Sequence, residues 1–196
     1  MTMSRRWQAR LAAAALLIAP LIAYGSTAAA ATTWKLDPAR SRLGFSGVQT
    51  GARFQGKFTR FGGAISFDPD HLDTSHIAVT VDLASAATGD QQRDTALPGK
   101  EWFDAAQFPR AKFETTAIRK KGANAYEALG NLTLRGVTKP LTLPFTLQIN
   151  GATAHAMGHA ALVRGAFGVG QGPWATGQWV GLDVGVDLDI IATRVN

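Results

Sequence analysis

Cysteine is absent from all 196 residues, which removes thiol catalysis, iron–sulfur ligation and lipid attachment at an N-terminal cysteine. Catalytic signatures are equally scarce. The chain has no G-x-S-x-G nucleophile elbow and no Walker-type glycine loop. Gly165, Gly168, Gly170 and Gly172 make a glycine-rich stretch, but their spacing does not fit a dinucleotide loop, and Pro173-Trp174 stands where a helix would have to start. Four histidines occur, His71, His76, His155 and His159. The last two are spaced i, i+4, which would chelate a metal on a helix but on a strand, favoured by Gly151 and Gly158 nearby, sets them about 13 Å apart, too far for one ion. With no third ligand and no H-E-x-x-H pattern, a metal site is not expected. Charge is sparse too, 17% of residues. The basic residues are scattered apart from Arg119-Lys120-Lys121 ahead of Gly122, so the basic patch of a nucleic-acid binder is missing. The N-terminal apolar run, Leu11–Ala23, falls short of the ~20 residues of a spanning helix.

That run has a different meaning. Arg5, Arg6 and Arg10 precede it, and the small residues Gly25 to Ala31 follow, offering A-x-A sites at Ala28-Ala29-Ala30 and Ala29-Ala30-Ala31. Basic, apolar and small residues in that order are a secretory signal peptide. Residues 1–31 are therefore expected to be cleaved near Ala30 or Ala31, leaving one domain over 32–196. An exported product is expected in the periplasm of a cell with two membranes. The mature chain keeps 17 basic against 14 acidic side chains, an ordinary balance. Without cysteine, an exported fold must be held by its core alone.

The mature chain reads in steps of two. Leu132 and Leu134 alternate with polar neighbours. After a break at Arg135–Pro140, Leu141, Leu143, Phe145, Leu147 and Ile149 alternate again. Such a ribbon has one apolar and one polar face and needs further strands to bury the first. Those strands are present. Leu43 and Phe45, then Phe54 and Phe58, Ala64 to Phe67, Ile77 to Leu83, Ala111 to Ile118 and Leu182 to Ile190 all follow a strand pattern, whereas Ala154–Val163 is ambiguous because alanines dilute either period. One stretch breaks the rule: Gly89–Leu97 has no alternation, carries a cap candidate in Thr88 or Asp90, and ends at Pro98-Gly99, so a short helix is expected there. Regular alternating strands with little helix indicate an antiparallel sandwich or barrel. Phe45, Phe54, Phe58, Phe67, Phe113 and Phe145 fall on inward faces. Around eight strands make a barrel that is either filled by side chains or holds one small ligand, and alternation does not separate the two. The carboxylates Asp90, Asp94, Glu101 and Asp104 cluster around the helical insert. Paired carboxylates can do acid–base work, although on a short exposed helix they commonly serve as caps and solvated ion pairs.

Several phrases, in order, resemble the YceI-like family of exported polyisoprenoid-binding proteins. They are Trp34-Lys35-Leu36-Asp37-Pro38, Ser41-Arg42-Leu43-Gly44-Phe45, Phe54-Gln55-Gly56-Lys57-Phe58, Gly63–Pro69, Thr88-Gly89 with Arg93-Asp94, Trp102-Phe103-Asp104, Phe108-Pro109 and Gly130–Pro140, completed by Arg164 with Phe167-Gly168. The resemblance implies an all-β fold, an extended eight-stranded antiparallel lipocalin-like β-barrel with a short helical insert. It also implies a narrow apolar tunnel holding an isoprenoid lipid, such as a quinone tail or a polyprenyl phosphate, or a similar long-chain amphiphile. Carriage, storage or sequestration of that lipid would follow, with no catalytic residue, cofactor or metal. On this reading Phe45, Phe54, Phe58, Phe113, Leu132, Leu134, Leu143, Phe145, Val184 and Val186 form the tunnel wall. Leu97 and Phe103 border it from the insert, and Phe167 and Trp174 stand near its mouth. Arg93 and Arg164 face either a polar head group or a structural partner. The glycine-rich loop Gly168–Trp174 resembles a branch found beside a b-type cytochrome of the inner membrane, which implies a quinone-related role; a homodimer is compatible with the resemblance. The alternative is an enzyme acting on a lipid-like substrate through Asp90, Asp94 and Glu101.

Overall fold

Alternation sets the architecture, and glycine, proline and aspartate set its corners. The structure, a computed structural model, describes residues 31–195; the expected signal segment up to residue 30 lies outside the described residues. Eleven β segments form one continuous sheet: β1 Thr33–Leu36, β2 Arg42–Gln49, β3 Ala52–Phe58, β4 Phe61–Ser66, β5 His76–Asp82, β6 Ala86–Ala87, β7 Arg110–Lys120, β8 Ala125–Leu134, β9 Val137–Asn150, β10 Thr153–Val163 and β11 Asp183–Arg194. Among the described residues a single short α-helix, α1 Gln91–Ala96, lies between β6 and β7.

Three pairs of segments are halves of one strand. β1 and β2 both pair antiparallel with β11, and on their other side β1 meets β4 while β2 meets β3. β5 and β6 likewise lie along β4 and β3. The eleven segments are therefore eight strands, each antiparallel to its neighbours, and the β1–β11 pairing closes them into a barrel at the end where those two segments meet. The interruptions are local side-chain devices. The Asp37 carboxylate accepts from the Ala39 and Arg40 amides and turns the chain between β1 and β2. The Asp82 carboxylate caps a short 3₁₀ turn before β6 by accepting from the Ala84 amide. The buried Ser85 hydroxyl of that turn donates to the Asp82 carbonyl and accepts from the Arg60 amide, tying it to the β3–β4 corner.

The strand pattern is corrected in three places. The hairpin expected to break over Arg135–Pro140 turns on Arg135 and Gly136 alone, both with positive φ (50° and 74°). That is the two-residue turn that matches strand twist, and pairing resumes at Leu134–Val137. β4 starts at Phe61, ahead of Ala64, where the strand was expected to begin. The ambiguous alanine-rich stretch is β10, fully paired with β11. Its pairing with β9 is shorter, covering only Phe145–Asn150 against Thr153–Gly158. Beyond Gly158 and Phe145 the ladder between the two strands is not continued.

Apolar side chains gather toward the two ends of the barrel. At the end where β1 meets β11, Trp34, Phe67, Ile118, Tyr126, Phe145 and Leu147 are buried together. The Trp34 indole donates to the Phe67 carbonyl at 2.9 Å, Phe67 meets Tyr126 edge-on and Tyr126 stacks on Phe145. At the other end, Phe45, Leu83, Ala86, Phe103, Ala111, Phe167 and Val169 are buried, with the α1 segment and the loop after β10 laid over them. A bulge between Thr115 and Ala117 shifts the β7 register. This brings Ile118 inward, and the Thr115 hydroxyl accepts from the Ile77 amide there.

Candidate functional site

Between the two ends the barrel is hollow. A cavity of about 280 Å³ runs from Leu36, Ile65 and Ile190 at the closed end to Trp102, Val169 and Val180 beneath the insert. This is about twice the roughly 150 Å³ apolar cavity that accepts a benzene-sized ligand, and it is elongated along the barrel. Its walls are aliphatic and aromatic. The polar side chains among its lining residues are Ser46, Lys112 and Arg164, besides the Trp102 indole. Lys112 points away from the interior, exposed and paired with Glu114 at 2.6 Å.

Glycine explains why so many phenylalanines leave a space at all. Phe45 lies opposite Gly56 and Phe54 opposite Gly47 in the β2–β3 pairing, and Phe113 covers Gly130 from the adjacent strand. A Cβ on Gly47 would stand 2.9 Å from the Phe54 ring, and one on Gly130 would stand 2.9 Å from Phe113. On Gly56 it would run into the Phe45 ring. The tip of each ring thus rests over a bare stretch of wall, where a side chain would displace it. Gly56→Ala should push the Phe45 ring toward the axis, cost about 1–3 kcal/mol of stability through overpacking, and shorten the ligand the barrel accepts. A melting curve and a chain-length series of bound amphiphiles check it.

The sequence-predicted wall residues come together here. Phe45, Phe54 and Phe58 from β2 and β3, Phe113 from β7, Leu132 and Leu134 from β8, Leu143 and Phe145 from β9, and Val184 and Val186 from β11 all line the cavity, as do Leu97 and Phe103 of the insert and Phe167. Trp174 does not. It packs on Trp102 outside the cavity, ring centroids 5.6 Å apart, and its indole donates to Glu101 at 2.7 Å. Arg93 is also outside, 5.0 Å over the Phe54 ring, donating to Gln49 and Thr88. Arg164 borders the cavity, but its guanidinium is turned into the loop that follows β10. Nε donates to the Gly181 carbonyl, Nη1 to Val169 and Gly170, and Nη2 to Trp174 and Val180. Among the described residues it has no carboxylate partner. Carbonyl dipoles and the Trp102 ring, 5.2 Å away, stabilise a charge that burial pushes below its ordinary pKa. Gly170 is required beside it, since its φ is 81° and a Cβ would collide with the guanidinium.

Sequence reading omitted several lining residues. Ile77, Val79 and Val81 of β5, and Leu188 and Ile190 of β11, line the cavity as well, and their alternation was the available signal. Trp102, Val169 and Val180 lie in loops, where no period marks a side chain as inward.

The carboxylates around the insert are engaged elsewhere. Asp90 caps α1 by accepting from the Arg93 amide at 3.0 Å. Asp94 accepts from the Thr88 hydroxyl (2.7 Å), the Thr88 amide (2.6 Å) and the Gly89 amide (3.2 Å), and these bonds, led by the hydroxyl, hold its pKa below the usual carboxylate range. No Asp, Glu or His is among the cavity-lining residues. A folded pKa below the unfolded value means that Asp94 contributes stability above the unfolded pKa, near 4, and loses that contribution as pH falls through the folded one. Asp94→Asn should therefore lower stability at neutral pH and flatten its decline on acidification below about pH 4, measured by denaturant melts across pH. His155 and His159 lie on β10 as outward-facing residues, each against an aspartate of β11: His155 with Asp189 at 2.6 Å and His159 with Asp187 at 2.7 Å. Among the described residues no three His, Asp or Glu side chains group to hold a metal.

A comparison with known families identifies the chain. The YceI-like domain matches residues 34–192, which is nearly the whole barrel. The chain belongs to the YceI-like family. A UPF0312 protein of Pseudomonas savastanoi pv. phaseolicola is 33% identical over 150 residues, 74% of each chain. One of Yersinia pestis is 40% identical over 96 residues, about half of each. Among solved structures, Burkholderia cenocepacia BcnA superposes with a TM-score of 0.78 at 34% identity, covering 81% of this chain and 99% of that one. A polyisoprenoid binding domain from Saccharophagus degradans, implicated in plant cell wall breakdown, superposes at 0.68 with 15% identity over 84% and 99%. At that identity it speaks for the fold alone. The barrel is thus common ground between the geometry and the family.

Proposed function

We propose that this YceI-like protein binds the chain of an isoprenoid lipid or a similar long-chain amphiphile inside its barrel. The observation that carries the reading is the elongated cavity, walled by apolar side chains and closed at its terminal end by the Trp34–Phe67–Tyr126–Phe145 cluster. A flexible apolar chain gains about 25 cal/mol for each Å² it removes from water, and the site needs no reacting group for that. The polyisoprenoid binding named for the Saccharophagus degradans domain supports the same ligand class. The signal-like N-terminus supports export, so the lipid would be carried, stored or sequestered in the periplasm. A quinone as the isoprenoid would make a b-type cytochrome of the inner membrane the natural partner. Organic extraction and native mass spectrometry of protein purified from its own host test the reading. One long-chain lipid per barrel is expected; a consistently ligand-free protein that takes up no isoprenoid in vitro refutes it.

A further inference from the structure

Both ends of the barrel are pinned, but its wall is not continuous. At the terminal end the aromatic cluster narrows the bore to a second cavity of only about 70 Å³. At the other end the loop after β10 is clasped by Arg164, and the Gly170 and Gln171 amides both donate to the Glu101 carbonyl of the insert. The gap in the sheet between β6 and β7 is covered by that insert, whose Leu97 and Phe103 reach the cavity. The stretches of β9 and β10 beyond Phe145 and Gly158, unpaired with each other, have no third strand bonded between them.

Two prolines account for this seam. The two-residue turn at Arg135-Gly136 makes Leu134 and Val137 a hydrogen-bonded pair, so odd-numbered residues of β9 bond to β8 and even-numbered ones face β10. Extending the β9–β10 register past Gly158–Phe145 would set Pro144 against His159, Thr142 against Ala161 and Pro140 against Val163. Pro144 and Pro140 therefore stand where two ladder amides are needed, and proline has none. Gly158, at the fork, sits so close to the Pro144 carbonyl that a Cβ would come within 2.7 Å of it. Leu141 and Leu143 on one lip and Ala160 and Leu162 on the other line the cavity directly. On the same face of β9, next along from Leu141, comes Lys139. It is exposed and has no ion-pair partner among the described residues.

Resting on the lipid-binding reading above, we propose that the β9–β10 seam is the lateral entrance of the barrel. The ligand is a long-chain lipid with an anionic head group, which stays at the seam beside Lys139 while the chain lies inside. The absence of native cysteine makes the test clean. Thr142→Cys with Ala161→Cys places one outward thiol on each lip, to be joined by a short thiol-cleavable bismaleimide. Uptake of radiolabelled geranylgeranyl phosphate and geranylgeraniol from phosphatidylcholine vesicles is then followed. Joining the lips should slow uptake of both at least tenfold, and cleaving the linker should restore it. Lys139→Gln should remove a roughly tenfold preference for the phosphate, the effect of one lost charge-assisted contact, and leave the alcohol unaffected. Pro140→Val with Pro144→Val should zip the seam, giving slow-exchanging amides at both positions and slower uptake without any linker. Unchanged uptake in the joined protein, or unchanged phosphate preference in Lys139→Gln, overturns the proposal while leaving lipid binding in place. If the unlinked protein takes up neither lipid, the lipid-binding reading itself fails.

Discussion

Val184→Trp will leave the fold standing and remove the ligand. Val184 faces the cavity from β11, opposite Leu162 of β10 and among the partly buried residues packed against the Phe45–Phe103 cluster. In a barrel filled by side chains, adding an indole there would force rings off their rotamers and cost about 1–3 kcal/mol. In a hollow barrel the indole enters apolar space not filled by protein side chains, and its own burial offsets much of the strain. The melting temperature should therefore move by only a few degrees, about 2–4 °C per kcal/mol for a domain of this size. Isoprenoid affinity should fall by at least a hundredfold, about 2.7 kcal/mol, because the chain can no longer pass the block. Val184→Ala is the companion variant; it widens the bore and should retain the ligand. A tryptophan variant that binds as well as the parent would place the ligand elsewhere than in the bore.

How the cavity came to be legible in the sequence is a matter of period. A strand repeats every two residues, so Leu132, Leu134, Leu143, Phe145, Val184 and Val186 could be assigned to one face before any coordinates were known. What alternation could not say is whether that face encloses space. The answer depends on pairs in different strands, Phe45 with Gly56 and Phe54 with Gly47, and register between strands is not written in either strand alone. The family resemblance pointed to a hollow barrel, and the glycine–phenylalanine pairs give the physical reason. The hairpin at Arg135-Gly136 was read as a longer break because Lys139 and Pro140 look like loop residues. Proline is tolerated within β9 because its missing amide faces a side with no partner strand. The same fact that blurred the sequence reading is what opens the seam.

Loops were least legible. Arg164 was left between a head group and a structural partner; it is buried to 4% exposure and all its donors are spent on carbonyls of Val169, Gly170, Trp174, Val180 and Gly181. No local pattern reveals such an arrangement, because its acceptors lie up to 17 residues downstream.

That arrangement sets the last prediction. Arg164→Met keeps most of the apolar stem and removes the guanidinium, leaving a set of buried carbonyls without their donor. An unsatisfied buried polar group costs about 1–3 kcal/mol, and several share this one partner. Part of the cost will be relieved as the loop opens to water, so a net loss of about 3 kcal/mol is expected, or close to 10 °C in melting temperature at 2–4 °C per kcal/mol. The loss should be local first. Amides of Val169, Gly170 and Gly181, which bond to Arg164, Glu101 and Val48 carbonyls across this loop, should lose hydrogen-exchange protection, while those of β8 and β11 keep theirs until the global transition. Arg164→Lys should not rescue the loop, since one ammonium with three donors cannot span the acceptors that the planar fork reaches. With its clasp released, the insert end becomes a second opening to the cavity, so bound lipid should leave faster from Arg164→Met even where its seam is joined. Unaltered protection in the 164–181 loop, or rescue by lysine, would show that Arg164 is not what holds this end shut.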